Sequence, residues 1–269
     1  MNERQKELSE LNPKLSHALK EWVKIIQEYK YQRQPKVPPE TKKEKKLFSL
    51  YALSNAIFNF ASDINLALEN DHTYTACSLA CLLLEAEIYF IHIELFPSAG
   101  VDFYDFGIVE DLKRLKFSPE EEELFIQRLE KNNCQRFLKE KDLDLLKRES
   151  YKKYWYKCRK SGIKDISTAN CNKIIKREGK NPALADNMPY KNYQALCGFK
   201  HYSPYYIGIS FKTMTDKNDM NIVNFKYSAI ISTLSSLHQV CVVLNSLYGE
   251  KIPNIKGWEE IYSILYQKK

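Results

Sequence analysis

The sequence predicts an all-α fold, a helical bundle of long antiparallel core helices with a charged helical insertion, on three observations. Glycine and proline are scarce, eight and ten in 269 residues, about 7% together where roughly 12% is usual. Three segments, 47–69, 72–96 and 221–248, are long and mostly apolar. Apolar residues elsewhere recur at three- and four-residue spacings, the signature of one buried helix face. The 44% hydrophobic content is enough for a substantial core. Disordered, collagen-like and coiled-coil fibre classes are excluded by the same figures.

Taken in order, the first helix is expected to open at Asn12 with Pro13 in its first turn. It places Leu15, Leu19, Trp22, Val23, Ile26 and Tyr29 on one stripe. Three prolines between Gln34 and Glu40 interrupt it, and the basic run Lys42 to Lys46 follows. A second helix then runs to about Glu69, presenting Leu47, Leu50, Ser54, Ile57, Phe58, Ala61, Ile64 and Leu68. Asp71 is placed to cap a third, which ends near Pro97, and the short link predicts an antiparallel hairpin. From Val101 to Lys160 the helices shorten and become highly charged. Ser118-Pro119 before four glutamates is a helix start, because the serine caps free N–H groups and the acids favour the positive end of the dipole. A short helix is expected before Gly179, and another from Asn187 into Cys197, broken at Gly198 to Pro204. Tyr205 to Phe211 is the one candidate strand, with extended loop as its alternative.

The last strong helix covers Asn221 to Tyr248, with Phe225, Ala229, Leu234, Leu237, Cys241, Leu244 and Tyr248 inward and Gly249 as its stop. Trp258, Ile261, Tyr262 and Leu265 make a final amphipathic piece. The whole reads as a single helical domain, 1–269. Residues 1–40 are an N-terminal helix and Pro-rich linker, 41–96 the core hairpin, 97–200 the charged insertion, and 201–269 a loop and the C-terminal core helix.

A formal net charge of +7 permits a polyanionic partner. Seven scattered cysteines in apolar helical surroundings are unlike a disulfide framework, and a cytoplasmic location is expected. The charged start MNERQKELSE has no signal-peptide character. The most apolar segment, Ala76 to Phe96, carries Glu85, Glu87, His92 and Glu94, which argues for a buried helix rather than a membrane span. No membrane partner is expected.

Walker A, GxGxxG, HExxH, GxSxG and CxxC motifs are all absent. Cys77 and Cys81 share a helix face but lack a second ligand pair at metal-site spacing, so they read as core cysteines. Inward glutamates without a histidine three residues on exclude the di-iron pattern. No metal and no cofactor is therefore expected. Glu85, inside the apolar run LACLLLEAEIYFIH, reads either as a satisfied contact at a helix edge or as a pocket-lining acid, with His92 two turns away. The segment Tyr190 to Tyr206 crowds Tyr193, Tyr202 and Tyr205 around Lys191, Lys200 and His201, materials for stacking bases, holding phosphates and moving protons. Lys147 to Lys160 is a second basic and aromatic stretch containing Trp155 and Arg159, read as a solvated helix or a phosphate-contacting surface.

Three stretches, SLACLLLEAEIYF with Glu85, the YWYKC and GIKDIS run at Tyr154 to Ser167, and YQALCGFKHYSP with Tyr193, His201 and Pro204, follow one another in the chain. Together they resemble the ordered landmarks of a mainly bacterial all-α family of unknown function that is similar to the wider HEPN group. The resemblance implies a helical bundle, often dimeric, in toxin-antitoxin, anti-phage defence or RNA-processing settings, with His201 and Glu85 near one another. The pattern's arginine is Cys81 here and its serine is Cys197. The nuclease motif of active HEPN domains, an arginine and a histidine separated by four to six residues, is not present: Gln194, Ala195 and Leu196 occupy the arginine positions ahead of His201.

The expected function is accordingly a HEPN-like module that binds RNA or a protein partner without catalysis. The alternative is a metal-independent ribonuclease in which His201, Lys200 and Glu85 are catalytic and Tyr193, Tyr202, Tyr205, Lys191, Trp155 and Arg159 bind. A homodimeric scaffold is the third reading.

Overall fold

The computed structural model describes residues 3–114, 118–132, 134, 188–201 and 220–253. Among them are seven helices and no strand: α1 (Glu3–Glu28), α2 (Lys42–Glu69), α3 (Thr73–Leu95), α4 (Pro97–Arg114), α5 (Pro119–Lys131), α6 (Met188–Lys200) and α7 (Met220–Tyr248). The protein is an all-α helical bundle. The expectations for Lys147 to Lys160, the helix before Gly179, Tyr205 to Phe211 and the piece from Trp258 to Leu265 lie outside the described residues.

The chain divides into two compact units. One gathers α1, α2 from Leu53, α3 as far as Ile88, α6 and α7; the other gathers α2 up to Ala52, α3 from Tyr89, α4 and α5. In the first unit α1 packs along α7, and α6 also packs on α7. Leu15, Leu19, Ile57, Ala61, Ile64, Leu83, Leu234, Leu237 and Leu244 are essentially inaccessible to solvent. The N-terminal helix is thus part of this core, alongside the apolar segments 47–69, 72–96 and 221–248.

That helix also begins earlier than Asn12. Pro13 lies inside α1 and removes one backbone donor, yet the helix continues through it because the apolar stripe reaches back to buried Leu8, two turns before Leu15. The Asn12 side chain donates to the Val223 carbonyl (3.3 Å), tying this turn to α7. At its other end α7 stops as expected. Gly249 has φ 64°, and the N–H of Glu250 reaches back six residues to the Leu244 carbonyl (3.3 Å). The buried Glu250 carboxylate then accepts from Tyr29 Oη (2.6 Å) and from the backbone N–H groups of Gln32 (2.9 Å) and Arg33 (3.2 Å), fastening the segment after α1.

In the second unit α2 opens on a capping box. Glu44 accepts from the backbone N–H of Thr41 and Glu40, and Thr41 Oγ1 accepts from the N–H of Glu44. Those backbone donors, Thr41 first, hold the Glu44 carboxyl below its usual range. The basic run Lys42 to Lys46 is therefore the first turn and a half of α2. Ser118 forms the second capping box, with Glu121 at the start of α5, as its sequence implied. Helices α3 and α7 are both long and apolar enough to cross a membrane by length and composition, and most of the apolar 18-residue window of each is buried inside the fold.

Close approach within this unit depends on Gly100 of α4. Ser49 Oγ donates to its carbonyl (2.8 Å), and a Cβ at Gly100 would lie 2.9 Å from Lys46 Cα and 3.0 Å from Ile93 Cγ2. Overpacking against backbone costs about 1–3 kcal/mol, more than the roughly 1 kcal/mol an alanine gains in a helix. Gly100→Ala is expected to lower the urea unfolding midpoint. Gly107→Ala, in the same helix with open space around its Cβ, is expected to raise it.

Candidate functional site

The aromatic and cationic segment singled out by sequence folds as α6, in the first unit. The helix runs to Lys200 and carries Gly198 inside it, so the expected break at Gly198 moves to His201. A helical glycine costs about 1 kcal/mol, which the burial of Leu196 and Phe199 on either side outweighs. Phe199 is held on three sides. Its ring meets Phe225 edge-on at 4.8 Å and Tyr74 at 5.3 Å, and the Tyr74 hydroxyl donates to its carbonyl (2.8 Å).

With that face fixed inward, α6 turns a second face outward. Tyr190 and Tyr193 are half-buried and stacked, with ring centroids 5.9 Å apart and planes 20° from parallel. Lys191, Gln194 and Ala195 are exposed. Two stacked rings on a helix that also exposes a cation are materials of the kind on which bases stack.

Two of the three candidate catalytic residues are joined directly. Glu85 and Lys200 are brought together as an ion pair linking α3 to α6, each about one quarter exposed. Glu85 is therefore a helix-edge partner of Lys200, the satisfied-contact reading, and Lys200 spends its ammonium on a carboxylate. His201 follows as an exposed turn residue whose backbone N–H donates to the Cys197 carbonyl (3.1 Å). Among the described residues no side chain is hydrogen-bonded to its imidazole, so nothing orients it as a general acid or base. His92 belongs to the other unit, buried with its ring 5.0 Å from Phe96. Tyr202, Tyr205, Trp155 and Arg159 lie outside the described residues.

Cys77 and Cys81 are core cysteines, fully buried. Burial pushes the Cys81 thiol up to about 12, with Cys197 and Glu85 adding to the rise and Lys200 opposing it. The two positions where the resemblance places an arginine and a serine thus influence one another beside the Glu85–Lys200 pair.

Sequence reasoning missed two charged features. The first is Glu87, two residues from the acid it singled out and far more deeply buried at 3% exposure. Ser236 of α7 donates to its carboxylate (2.6 Å), and burial raises its pKa from 4.5 to about 7.

The second is a cleft of about 450 Å³ wholly within the second unit, lined by Glu40, Lys42, Lys45, Ser98, Val101, Asp102, Asp105, Lys131 and Asn132. Its floor is a buried ion pair, Lys45 Nζ to Asp105 Oδ1 at 2.6 Å, with side-chain exposures of 11% and 2%. Lys45 also donates to Asn132 Oδ1 (3.0 Å) and lies 5.5 Å from the centre of the Tyr104 ring. The available signal was Asp105 within the apolar run FYDFG, but its partner sat 60 residues away inside what read as a solvated basic run.

Among the described residues no group of three histidine, cysteine or carboxylate side chains is placed to hold a metal ion. Comparison of the chain with protein-family models, with curated proteins and with solved structures finds no match.

Proposed function

We infer that the protein is a non-catalytic binding module that takes single-stranded RNA on the outer face of α6. The observation that carries this reading is the stacked Tyr190–Tyr193 pair on a helix that also exposes Lys191. Rings accept bases without regard to sequence, at about 1–3 kcal/mol per base, and the lysine meets the backbone phosphate. The net charge of +7 favours the same partner over distance. The ion pairing of Lys200 by Glu85 supports binding over cleavage, because it occupies the cation a ribonuclease would use to steady a phosphate. The HEPN-like resemblance adds the setting: a cytoplasmic component of a bacterial defence or toxin-antitoxin system.

Fluorescence anisotropy with a labelled single-stranded RNA tests this. Wild-type protein is expected to bind with an affinity that falls as salt rises, to leave the RNA intact on a gel, and to lose at least tenfold in affinity in the Lys191→Ala/Tyr193→Ala variant. Absence of binding at low salt overturns the reading in favour of a protein partner. Cleavage that disappears in His201→Ala overturns it in favour of the ribonuclease.

A further inference from the structure

We propose that the cleft of the second unit is a binding site for a phosphate monoester, with Lys42 and Lys131 as the phosphate-holding cations. At about 450 Å³ it falls in the range of small-molecule sites and accommodates a nucleotide-sized ligand.

The argument is a charge audit of the lining. Asp105 is neutralised by Lys45 at 2.6 Å, and Lys45 is in turn held by Asn132. Glu40 is paired with Lys36 at 3.0 Å. Lys42 and Lys131 line the same cleft and make no ion pair among the described residues. Lys42 and Lys131 are thus the two ammonium groups of the lining that hold no carboxylate partner among the described residues and are open to an anion.

The rest of the wall fits a dianion. Ser98 brings a hydroxyl from the first turn of α4, at the positive end of that helix dipole. The first turn of α2 is already satisfied by its own capping box, so its N–H groups do not compete. The buried Lys45–Asp105 pair, with half-buried Asn132 beside it, is the floor, and Asn132 is further fixed by donating from Nδ2 to the Arg128 carbonyl (2.9 Å). Preorganised walls with exposed lysines suit a ligand that enters from solvent and is clamped by charge.

The phosphate monoester has two possible sources, a small metabolite or the 5′ end of an RNA, and one experiment separates them. Full-length protein is titrated calorimetrically with adenosine monophosphate, with inorganic phosphate as competitor, and separately with matched short RNAs bearing a 5′-phosphate or a 5′-hydroxyl. Saturable binding of the mononucleotide, displaced by phosphate and weakened at least tenfold in Lys42→Ala/Lys131→Ala, is the expected result for a metabolite site. A preference for 5′-phosphorylated over 5′-hydroxyl RNA that vanishes in the same variant is the expected result for an RNA-end site. No heat or displacement with any phosphate at millimolar concentration overturns the proposal. So does binding that the double variant leaves unchanged, provided circular dichroism shows that variant folded. The α6 reading stands or falls separately, because Lys191→Ala/Tyr193→Ala acts equally on both RNAs.

Discussion

Asp105→Ala is expected to destabilise the protein by roughly 3–5 kcal/mol, a cost set by the charge left behind rather than by the contact removed. Asp105 is 1% exposed and accepts from Lys45 at 2.6 Å. Without the carboxylate, an ammonium whose side chain is only 11% exposed keeps Asn132 Oδ1 as a dipolar partner and no counter-charge. Desolvating an ion is costly unless another ion compensates. The same reasoning says that removing both charges together costs less than removing one. Lys45→Met/Asp105→Leu, which fills the space with apolar groups of similar size, is expected to unfold at a higher urea concentration than Asp105→Ala. Urea unfolding followed by circular dichroism of wild type, Asp105→Ala and Lys45→Met/Asp105→Leu measures the difference. Equal losses for the single and double variants would show that the site is held by packing alone. Lys45→Ala provides the reciprocal test, with a buried carboxylate as the orphan.

Much of the first unit was legible because its helices obey a simple period. The stripe of Leu15, Leu19, Trp22, Val23 and Ile26 is buried as spaced, and Gly249 ends α7 with the positive φ that glycine adopts freely. The errors have one physical cause. Local propensity makes Pro13 and Gly198 punctuation, and in both places buried side chains on either side carry the helix through. The site was less legible, because ion pairing is a long-range property. Nothing in the local sequence distinguishes Glu85 from Glu87, two residues apart on an apolar helix. Glu85 reaches the helix edge, where Lys200, 115 residues away, meets it. Glu87 turns into α7, where its partner is the neutral hydroxyl of Ser236. The cleft was invisible for the same reason: Lys42 and Lys45 come from the start of α2, Ser98 to Asp105 from α4, and Lys131 and Asn132 from the end of α5.

Glu87 gives the fold a pH dependence that can be isolated with one substitution. In the unfolded chain this carboxyl ionises at its ordinary 4.5, whereas burial in the folded state holds its proton to about 7, the Ser236 bond opposing only part of the rise. Between those values the folded protein binds more protons than the unfolded chain, so stability falls as pH rises from about 4.5 to about 7 and then levels off. The shift corresponds to roughly 3 kcal/mol across the window. His238, also on α7, acts in the opposite sense. Its pKa is lowered by burial, so stability contributed there is present above 6.5 and lost as pH falls through that value. Glu87→Gln removes the first effect and leaves the second, since the amide oxygen still accepts from Ser236 and no proton is exchanged. Unfolding free energies of wild type and Glu87→Gln, measured at pH 5 and pH 8, are therefore expected to move relative to each other by roughly 3 kcal/mol in favour of the variant at the higher pH. Any fixed cost of burying the amide's N–H groups shifts the variant's curve as a whole and cancels in that comparison. Parallel curves would mean that Glu87 ionises in the folded state as readily as in water, and that the inner face of α3 is wetter than its 3% exposure implies.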